Sequence, residues 1–159
     1  MVAIRDANPD DLEVICEFNA CMAAETENRA LDLECLHAGV LRVLNDPGRG
    51  RYFLAEVDGR VVAQTSVTFE WSDWRNGWFW WLQSVYVRLE VRGTGVFRTL
   101  LEHIESRARA AGDVRGIRLY VDSDNKEAAR AYDRLGLPVS SYLMREKHFV
   151  TARGSRALC

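Results

Sequence analysis

Residues 78–104 read WFWWLQSVYVRLEVRGTGVFRTLLEHI, and this stretch decides the fold. Residues 78–87 are apolar on both faces, which predicts a buried strand with a neighbour on each side. Gly93 and Gly95 follow, and an amphipathic run at helical spacing begins directly after them. A strand, a glycine turn and a helix start place bare backbone amides at the positive end of a helix dipole. We therefore expect this turn to bind an anion.

Two common phosphate-binding motifs can be tested against this turn. A dinucleotide fingerprint needs a third glycine at position 98, where the chain has Arg98. A Walker A loop needs Gly-Lys-Ser/Thr, whereas Gly95 is followed by Val96 and Phe97. Both motifs fail. Arg92 and Arg98 still add positive charge, so an anion remains the expected ligand.

Working outward from the turn, the pattern gives the element order β-α-α-β-β-β-α-β-α-β. The predicted elements are strand 2–7, a helix capped by Asn8, a helix opened by Asp32, two hairpin strands around Asp58-Gly59, strand 78–87, the helix after Gly95, strand 116–122, a helix capped by Asn125, and strand 139–149. A turn is also predicted at Asn76-Gly77. This order predicts a mixed sheet, α/β or α+β, with helices on both faces.

Composition limits the classes of function. A chain of 159 residues has the size of one domain, and we expect that domain over residues 1–150 with a flexible tail over 151–159. A net charge of −2 gives no general attraction to nucleic acid, and no apolar run approaches the roughly 20 residues of a membrane span. The four cysteines have no metal-ligand spacing. We expect a cytoplasmic protein without a metal, a membrane partner or a nucleic-acid partner.

Two segments resemble known motifs. Residues 85–104, VYVRLEVRGTGVFRTLLEHI, resemble the acyl-CoA-binding motif of the GNAT acetyltransferase superfamily, a strand followed by Q/R-x-x-G-x-G/A and a helix. Residues 119–137, LYVDSDNKEAARAYDRLGL, resemble that family's next motif, a strand, an Asn and a helix with Ala-x-x-x-Tyr before Leu-Gly-Phe. The order and spacing of the two motifs match, and the element order matches along nearly the whole chain. The resemblance implies a mostly antiparallel central sheet of six or seven strands flanked by helices.

The chain departs from the family pattern at three positions. Glu90 stands where Gln or Arg is usual, Leu89 replaces a common proline, and Leu137 replaces the usual Phe. A carboxylate at position 90 would repel phosphate, so we expect the side chain of Glu90 to point to solvent.

The resemblance implies acetyl-CoA as co-substrate. Its pyrophosphate would bind the amides of residues 91–96, and its pantetheine arm would pair with the strand edge at Val85–Val87. Asn125, an ordinary N-cap by its position, would also contact the cofactor. The implied cofactor-binding residues are Val85, Tyr86, Val87, Val91, Arg92, Gly93, Thr94, Gly95, Val96 and Asn125.

The resemblance also implies transfer of the acetyl group to a primary amine of a small molecule or peptide, by direct attack in a ternary complex. Tyr132 would protonate the departing thiolate, because a phenol has a pKa about 1.5 above that of a thiol. A purely structural aromatic in the core is the alternative for this residue.

The proton of the attacking amine needs an acceptor, and residues 78–82 supply no carboxylate. Glu70 is the candidate general base, with an ordered water as the alternative. Glu25, Glu27 and Asp73 are candidates for binding a cationic amine. For each of these acids, and for Glu70, a solvated surface charge is the favoured interpretation. The missing strand carboxylate and Glu90 favour a second hypothesis, a catalytically inactive acyl-CoA-binding sensor.

Aromatic residues crowd one hairpin. Trp71, Trp74 and Trp78 surround its turn and would line either the acceptor pocket or a homodimer contact. A nucleic-acid binder that uses these aromatics fits the acidic balance of the chain poorly. His37, His103 and His148 have no ligand spacing and are interpreted as structural or surface residues.

Overall fold

The computed structural model describes residues 1–149, and the predicted tail over 151–159 lies outside the described residues. Met1–Leu119 form one compact unit and the residues from Tyr120 onward form another. In chain order the first unit contains β1 (Val2–Asp6), α1 (Leu12–Glu27), α2 (Leu33–Asn45), β2 (Arg51–Val57), β3 (Arg60–Ser72), β4 (Gly77–Val87), α3 (Val96–Ala111) and β5 (Val114–Arg118), and the second contains α4 (Lys126–Arg134).

Local start and turn signals act as the sequence predicts. The Asn8 side chain accepts a backbone hydrogen bond and begins a one-turn 3₁₀ helix that leads into α1. Asp32 caps α2 in the same manner. Asp58 and Gly59 have φ angles of 51° and 76°, and two successive positive φ angles are the signature of a type I′ hairpin turn.

The sheet has the order β1-β2-β3-β4-β5. The first three pairings are antiparallel and the β4–β5 pairing is parallel. The predicted mixed, mostly antiparallel sheet is confirmed. The predicted count of six or seven strands is wrong, because the part of the chain that the structure describes forms five. β5 also begins earlier than predicted and ends at Arg118.

The predicted last strand over residues 139–149 does not form. This segment has no regular secondary structure. Its large apolar side chains are 61–89% exposed, namely Val139, Tyr142, Leu143, Met144 and Phe149. A strand exists only where its amides and carbonyls pair with a neighbour. The alternation of residues 139–149 predicted a strand but could not supply that partner.

Helices cover both faces of the sheet in the first unit, as predicted. Leu54 of β2 packs in a buried cluster with Ile15 of α1 and Val40 of α2. The next residue back, Phe53, makes an edge contact with the ring of His103 on α3, with 5.8 Å between centroids. Successive strand residues point to opposite faces. Therefore α1 and α2 lie on one face and α3 lies on the other.

The second unit contains α4, which begins and ends as predicted. The Asn125 side chain accepts a hydrogen bond from the amide of Ala128 at 3.1 Å, which confirms its N-cap role. Gly136 follows the helix with a φ of 81°, as expected for a C-terminal glycine. Within residues 1–149, no helix combines the length and apolar character needed to cross a membrane.

Candidate functional site

β4 contains one residue more than the stretch of β3 that it pairs with. Ser66 pairs with Gln83 and Gln64 pairs with Tyr86, so one β3 residue lies opposite two β4 residues. Ser84, one of those two, has a φ of 52°, which non-glycine residues rarely adopt. This irregularity is a β-bulge, and a bulge bends its strand and increases the local twist.

β4 loses its second strand neighbour before the bulge. Pairing with β5 runs only from Trp78 to Trp81. Past the bulge, the amide of Arg88 donates to the carbonyl of Val62 at 2.9 Å. In an antiparallel ladder the N–H and C=O of the preceding residue, Val87, must then point away from β3. The predicted pantetheine edge, Val85–Val87, therefore has no strand neighbour on that side within the described first unit.

The glycine turn has the open backbone that an anion site requires. Gly93 and Gly95 have φ angles of 79° and 93°, in the left-handed region where only glycine is unstrained. A Cβ built on either residue would meet no atom within 4 Å, so the outer face of the turn is open. Gly95 is also the N-cap of α3 and carries no side chain to cap the first helical amides.

Only half of the amides predicted to bind pyrophosphate are available. The turn itself uses the amides of Val91, Arg92 and Thr94, which donate to carbonyls three residues earlier. Among residues 1–149, no partner is found for the amides of Gly93, Gly95 and Val96. The helix dipole adds to the attraction of these amides for an anion.

Arg92 connects the glycine turn to the strand edge and to α1. Its Nη2 donates to Oε2 of Glu25 at 2.6 Å, and its Nε donates to the carbonyl of Val87 at 2.8 Å. The hydroxyl of Tyr86 donates to the other Glu25 oxygen at 3.0 Å. The structure thus brings together four predicted site residues, Glu25, Tyr86, Val87 and Arg92.

Proton positions in this cluster follow from its contacts. Burial, and then the hydrogen bond to Glu25, raises the pKa of Tyr86 to about 12. Burial acts to raise the pKa of Glu25, but the hydrogen bonds from Arg92 and Tyr86 outweigh it and lower the pKa overall. At neutral pH the phenol is therefore protonated and the carboxylate is ionised.

Glu70 lies outside this cluster. It pairs with Phe79 in the ladder, at the opposite end of β4 from Val87. Its carboxylate accepts from Nη1 of Arg118 at 2.8 Å and from the indole of Trp81. Its role as general base remains a prediction.

The other acidic candidates are on the surface. Glu27 forms an exposed ion pair with Arg29 at 3.3 Å, near the end of α1 that carries Glu25. Asp73 accepts from the amide of Trp74 at 2.8 Å in the β3–β4 turn. Within residues 1–149, no group of His, Cys, Asp or Glu side chains is arranged to hold a metal ion.

The expected orientation of Glu90 is confirmed. Its side chain is 52% exposed and forms an ion pair with Arg60 at 3.5 Å. The carboxylate is therefore engaged with a cation, which reduces the repulsion of a phosphate on the neighbouring turn.

The aromatic residues of the β3–β4 hairpin differ in exposure. Trp74 is 93% exposed and Trp71 is 48% exposed. Trp78 packs edge-on against Trp71, with centroids 5.0 Å apart. Their roles in an acceptor pocket or a homodimer contact stay predictions.

Tyr132 and Asn125 belong to the second unit. Tyr132 is half-buried, and burial raises the pKa of its phenol. The hydroxyl is therefore protonated at neutral pH, as a proton donor must be. Asn125 is the N-cap described above, and its contact with a cofactor remains a prediction.

The mixed sheet of five strands with helices on both faces agrees with the fold of the GNAT acetyltransferases. Comparison with known families matches residues 12–137 to the model described as "Acetyltransferase (GNAT) family". The chain belongs to this family.

Known proteins similar to the chain agree with this assignment. A mycothiol acetyltransferase of Corynebacterium aurimucosum is 30% identical over 138 residues, 85% of this chain. The chain spans less than half of that relative, 43% of its length. A solved structure described as "a possible acetyltransferase from Clostridium difficile 630" is 40% identical, with a TM-score of 0.88 over 95% of this chain and 99% of that one.

A further solved structure is similar in fold. It is described as a "predicted acetyltransferase with acetyl-CoA from Clostridium acetobutylicum". It is 16% identical, with a TM-score of 0.76 over 92% of this chain and 96% of that one.

The polar residues that surround the bulge were not predicted from the sequence. Gln64, Thr65 and Ser66 are 0%, 0% and 6% exposed, and each donates a side-chain hydrogen bond to a carbonyl of Gln83 or Ser84. Three consecutive polar residues between the apolar segments 61–63 and Val67 were the available signal.

Proposed function

We propose that the protein transfers the acetyl group of acetyl-CoA to a primary amine of a small molecule or peptide, by direct attack in a ternary complex. The observation that carries the proposal is the open edge of β4 beside the glycine turn. Val87 points its N–H and C=O away from β3, and the amides of Gly93, Gly95 and Val96 lie at the start of α3.

The two features suit the two ends of acyl-CoA. The pyrophosphate is an anion and matches the amides and dipole at a helix start. The pantetheine arm carries amides, and extended amide groups bind an open strand edge through main-chain hydrogen bonds. Acetyl-CoA supplies an activated thioester.

The remaining roles belong to side chains. Tyr132 would give its hydroxyl proton to the thiolate as the carbon–sulfur bond breaks, and its raised pKa keeps that proton in place at neutral pH. Glu25 and Glu27 would attract a cationic acceptor to the end of α1, with Asp73 as a further candidate. Glu70 or a water would take the proton of the amine.

One observation favours a second candidate function, an acyl-CoA-binding module without turnover. The candidate base Glu70 is already ion-paired with Arg118. Taking up the proton of the amine would break that ion pair and leave Arg118 without this carboxylate partner.

A thiol-release assay separates the two functions. The protein is incubated with acetyl-CoA and a panel of polyamines, amino sugars, amino acids and peptides, and free CoA thiol is measured against reactions without amine. Release that depends on one class of amine supports the transferase. Thermal protection by CoA with no release from any amine supports the binding module, because a ligand bound only by the native state raises the melting temperature. Absence of protection contradicts both.

A further inference from the structure

The bulge in β4 is held by a row of polar side chains on β3. The Nε2 of Gln64 donates to the carbonyl of Ser84 at 3.3 Å. The hydroxyls of Thr65 and Ser66 donate to the carbonyl of Gln83 at 3.0 Å and 3.2 Å. Because Gln64 and Thr65 are consecutive, they approach β4 from opposite faces of the sheet. Thr65 and Ser66 thus hold the carbonyl of Gln83 from both faces, and Gln64 holds the carbonyl of Ser84 from one face.

This row continues into α1. The same Nε2 of Gln64 donates to Oδ1 of Asn19 at 2.9 Å, and Nδ2 of Asn19 donates to the hydroxyl of Tyr52 at 3.3 Å. The carbonyl of Ser84 can only accept a hydrogen bond, so it fixes the orientation of the Gln64 amide. That orientation in turn fixes the amide of Asn19, which is 4% exposed.

Burying these polar groups costs free energy. Gln64 is fully buried, and its Oε1 has no hydrogen-bond partner among the described residues. An unsatisfied buried polar atom costs roughly 1–3 kcal/mol, whereas an apolar side chain of the same shape would cost nothing of this kind. Ser84 adds the strain of a left-handed φ. Stability alone would favour an apolar β3 opposite a regular β4.

The row of polar side chains instead affects the geometry of the β4 edge. Val87, whose N–H and C=O point away from β3, lies directly beyond the bulge, and pairing with β5 stops before it. We propose that Gln64 and Thr65 are positioning residues: by holding the carbonyls of Ser84 and Gln83, they set the direction in which β4 presents its edge to the pantetheine arm of acyl-CoA. This inference rests on the proposed binding of acyl-CoA.

Two variants and two matched controls test the role. Gln64→Met and Thr65→Val remove a donor to the bulge with little change in volume. Thr68→Val makes the same chemical change as Thr65→Val on the same strand. The Thr68 hydroxyl accepts a hydrogen bond from the side chain of Gln83 at 2.6 Å, not from its carbonyl. Tyr52→Phe removes the hydrogen bond between Asn19 and the Tyr52 hydroxyl and leaves the hydrogen bonds to the bulge carbonyls intact. Each protein is compared by melting temperature, by calorimetric Kd for CoA, and by kcat and KM for acetyl-CoA.

The positioning role predicts a split between these readouts. Gln64→Met and Thr65→Val should raise the Kd for CoA and the KM for acetyl-CoA roughly tenfold, with kcat at saturation within about twofold of wild type. Thr68→Val and Tyr52→Phe should leave Kd within about twofold, even where they lower the melting temperature by a similar amount.

Other outcomes overturn the inference. Equal Kd values for variants and controls would show that the row only stabilises the fold. If both variants fail to fold while both controls fold, the row is needed for folding and the positioning role is wrong. A wild-type protein that does not bind CoA overturns the proposed function and this inference with it. Wild-type binding that survives in Gln64→Met and Thr65→Val overturns the inference alone.

Discussion

Replacing Gly95 by alanine tests directly whether the glycine turn binds the pyrophosphate of CoA. Gly95 has a φ of 93°, and a left-handed alanine costs roughly 1–2 kcal/mol. No atom lies within 4 Å of the new Cβ, so no clash adds to this strain. A domain stable by roughly 5–15 kcal/mol should therefore remain folded. The new methyl group nevertheless covers the face on which the phosphate would approach the amides.

The expected effect on binding is larger than the effect on folding. Hydrogen bonds to a charged group contribute roughly 1.5–3 kcal/mol each, so displacing the phosphate from one or two amides should weaken CoA binding about 10- to 100-fold. Isothermal titration calorimetry measures the Kd, and thermal melting measures stability. Gly112→Ala is the matched control, because Gly112 ends the same helix with a φ of 79° and equally open space around its Cβ.

Comparison of the two variants isolates the phosphate contact from the backbone strain. Both should melt a few degrees lower than wild type, since a loss of 1 kcal/mol lowers the melting temperature of a domain of this size by roughly 2–4 °C. Only Gly95→Ala should lose CoA affinity. A folded Gly95→Ala protein that binds CoA as tightly as Gly112→Ala would refute the assignment of the pyrophosphate to this turn.

Three further predictions concern individual side chains. Tyr132→Phe should lower kcat on the order of 100-fold with nearly unchanged Kd for CoA, whereas wild-type turnover by this variant in steady-state assays would eliminate the phenol as proton donor. The hydrogen bonds from Arg5 lower the pKa of Asp11 in the folded protein. The pair therefore stabilises the fold fully above the pKa of about 3.9 that the carboxyl has in the unfolded chain. This stabilisation is lost as the pH falls through the lower pKa of Asp11 in the folded protein. Melting curves of Arg5→Met should consequently depend less on pH between about 5 and 2 than those of wild type, and parallel curves would count against the pair. Burial raises the pKa of Cys16 to about 11, so the native protein should label at Cys21 well before Cys16 with iodoacetamide at pH 8, which peptide mass mapping can check.

The features predicted correctly from the sequence are those with local causes. The Asp58-Gly59 turn, the N-cap at Asn125 and the positive φ angles of the glycine turn depend on a few consecutive residues. Positions 93 and 95 favour glycine because their φ angles are positive, and this preference does not depend on any distant part of the chain.

The features that were missed or wrong depend on distant partners. The strand predicted over 139–149 lacked a pairing partner, and the extra residue of β4 becomes visible only when β4 is aligned with β3. The contacts of the acidic candidates were equally inaccessible, since Glu70 meets Arg118 across 48 residues and Glu25 meets Arg92 across 67. The sequence shows a charge but does not show which cation it will meet.

These distant contacts bear on the choice between enzyme and binding module. Glu25 and Glu70 both accept from an arginine, so neither can gain a proton without weakening an ion pair. In the proposed reaction, Glu25 would act as an ionised group that attracts a cationic amine to the end of β4 where Val87 lies, although its ion pair with Arg92 partly offsets this charge. Attraction and deprotonation are therefore separate tasks. A water that accepts the amine proton would satisfy the second task without a free carboxylate, so the ion pair of Glu70 does not by itself exclude a transferase.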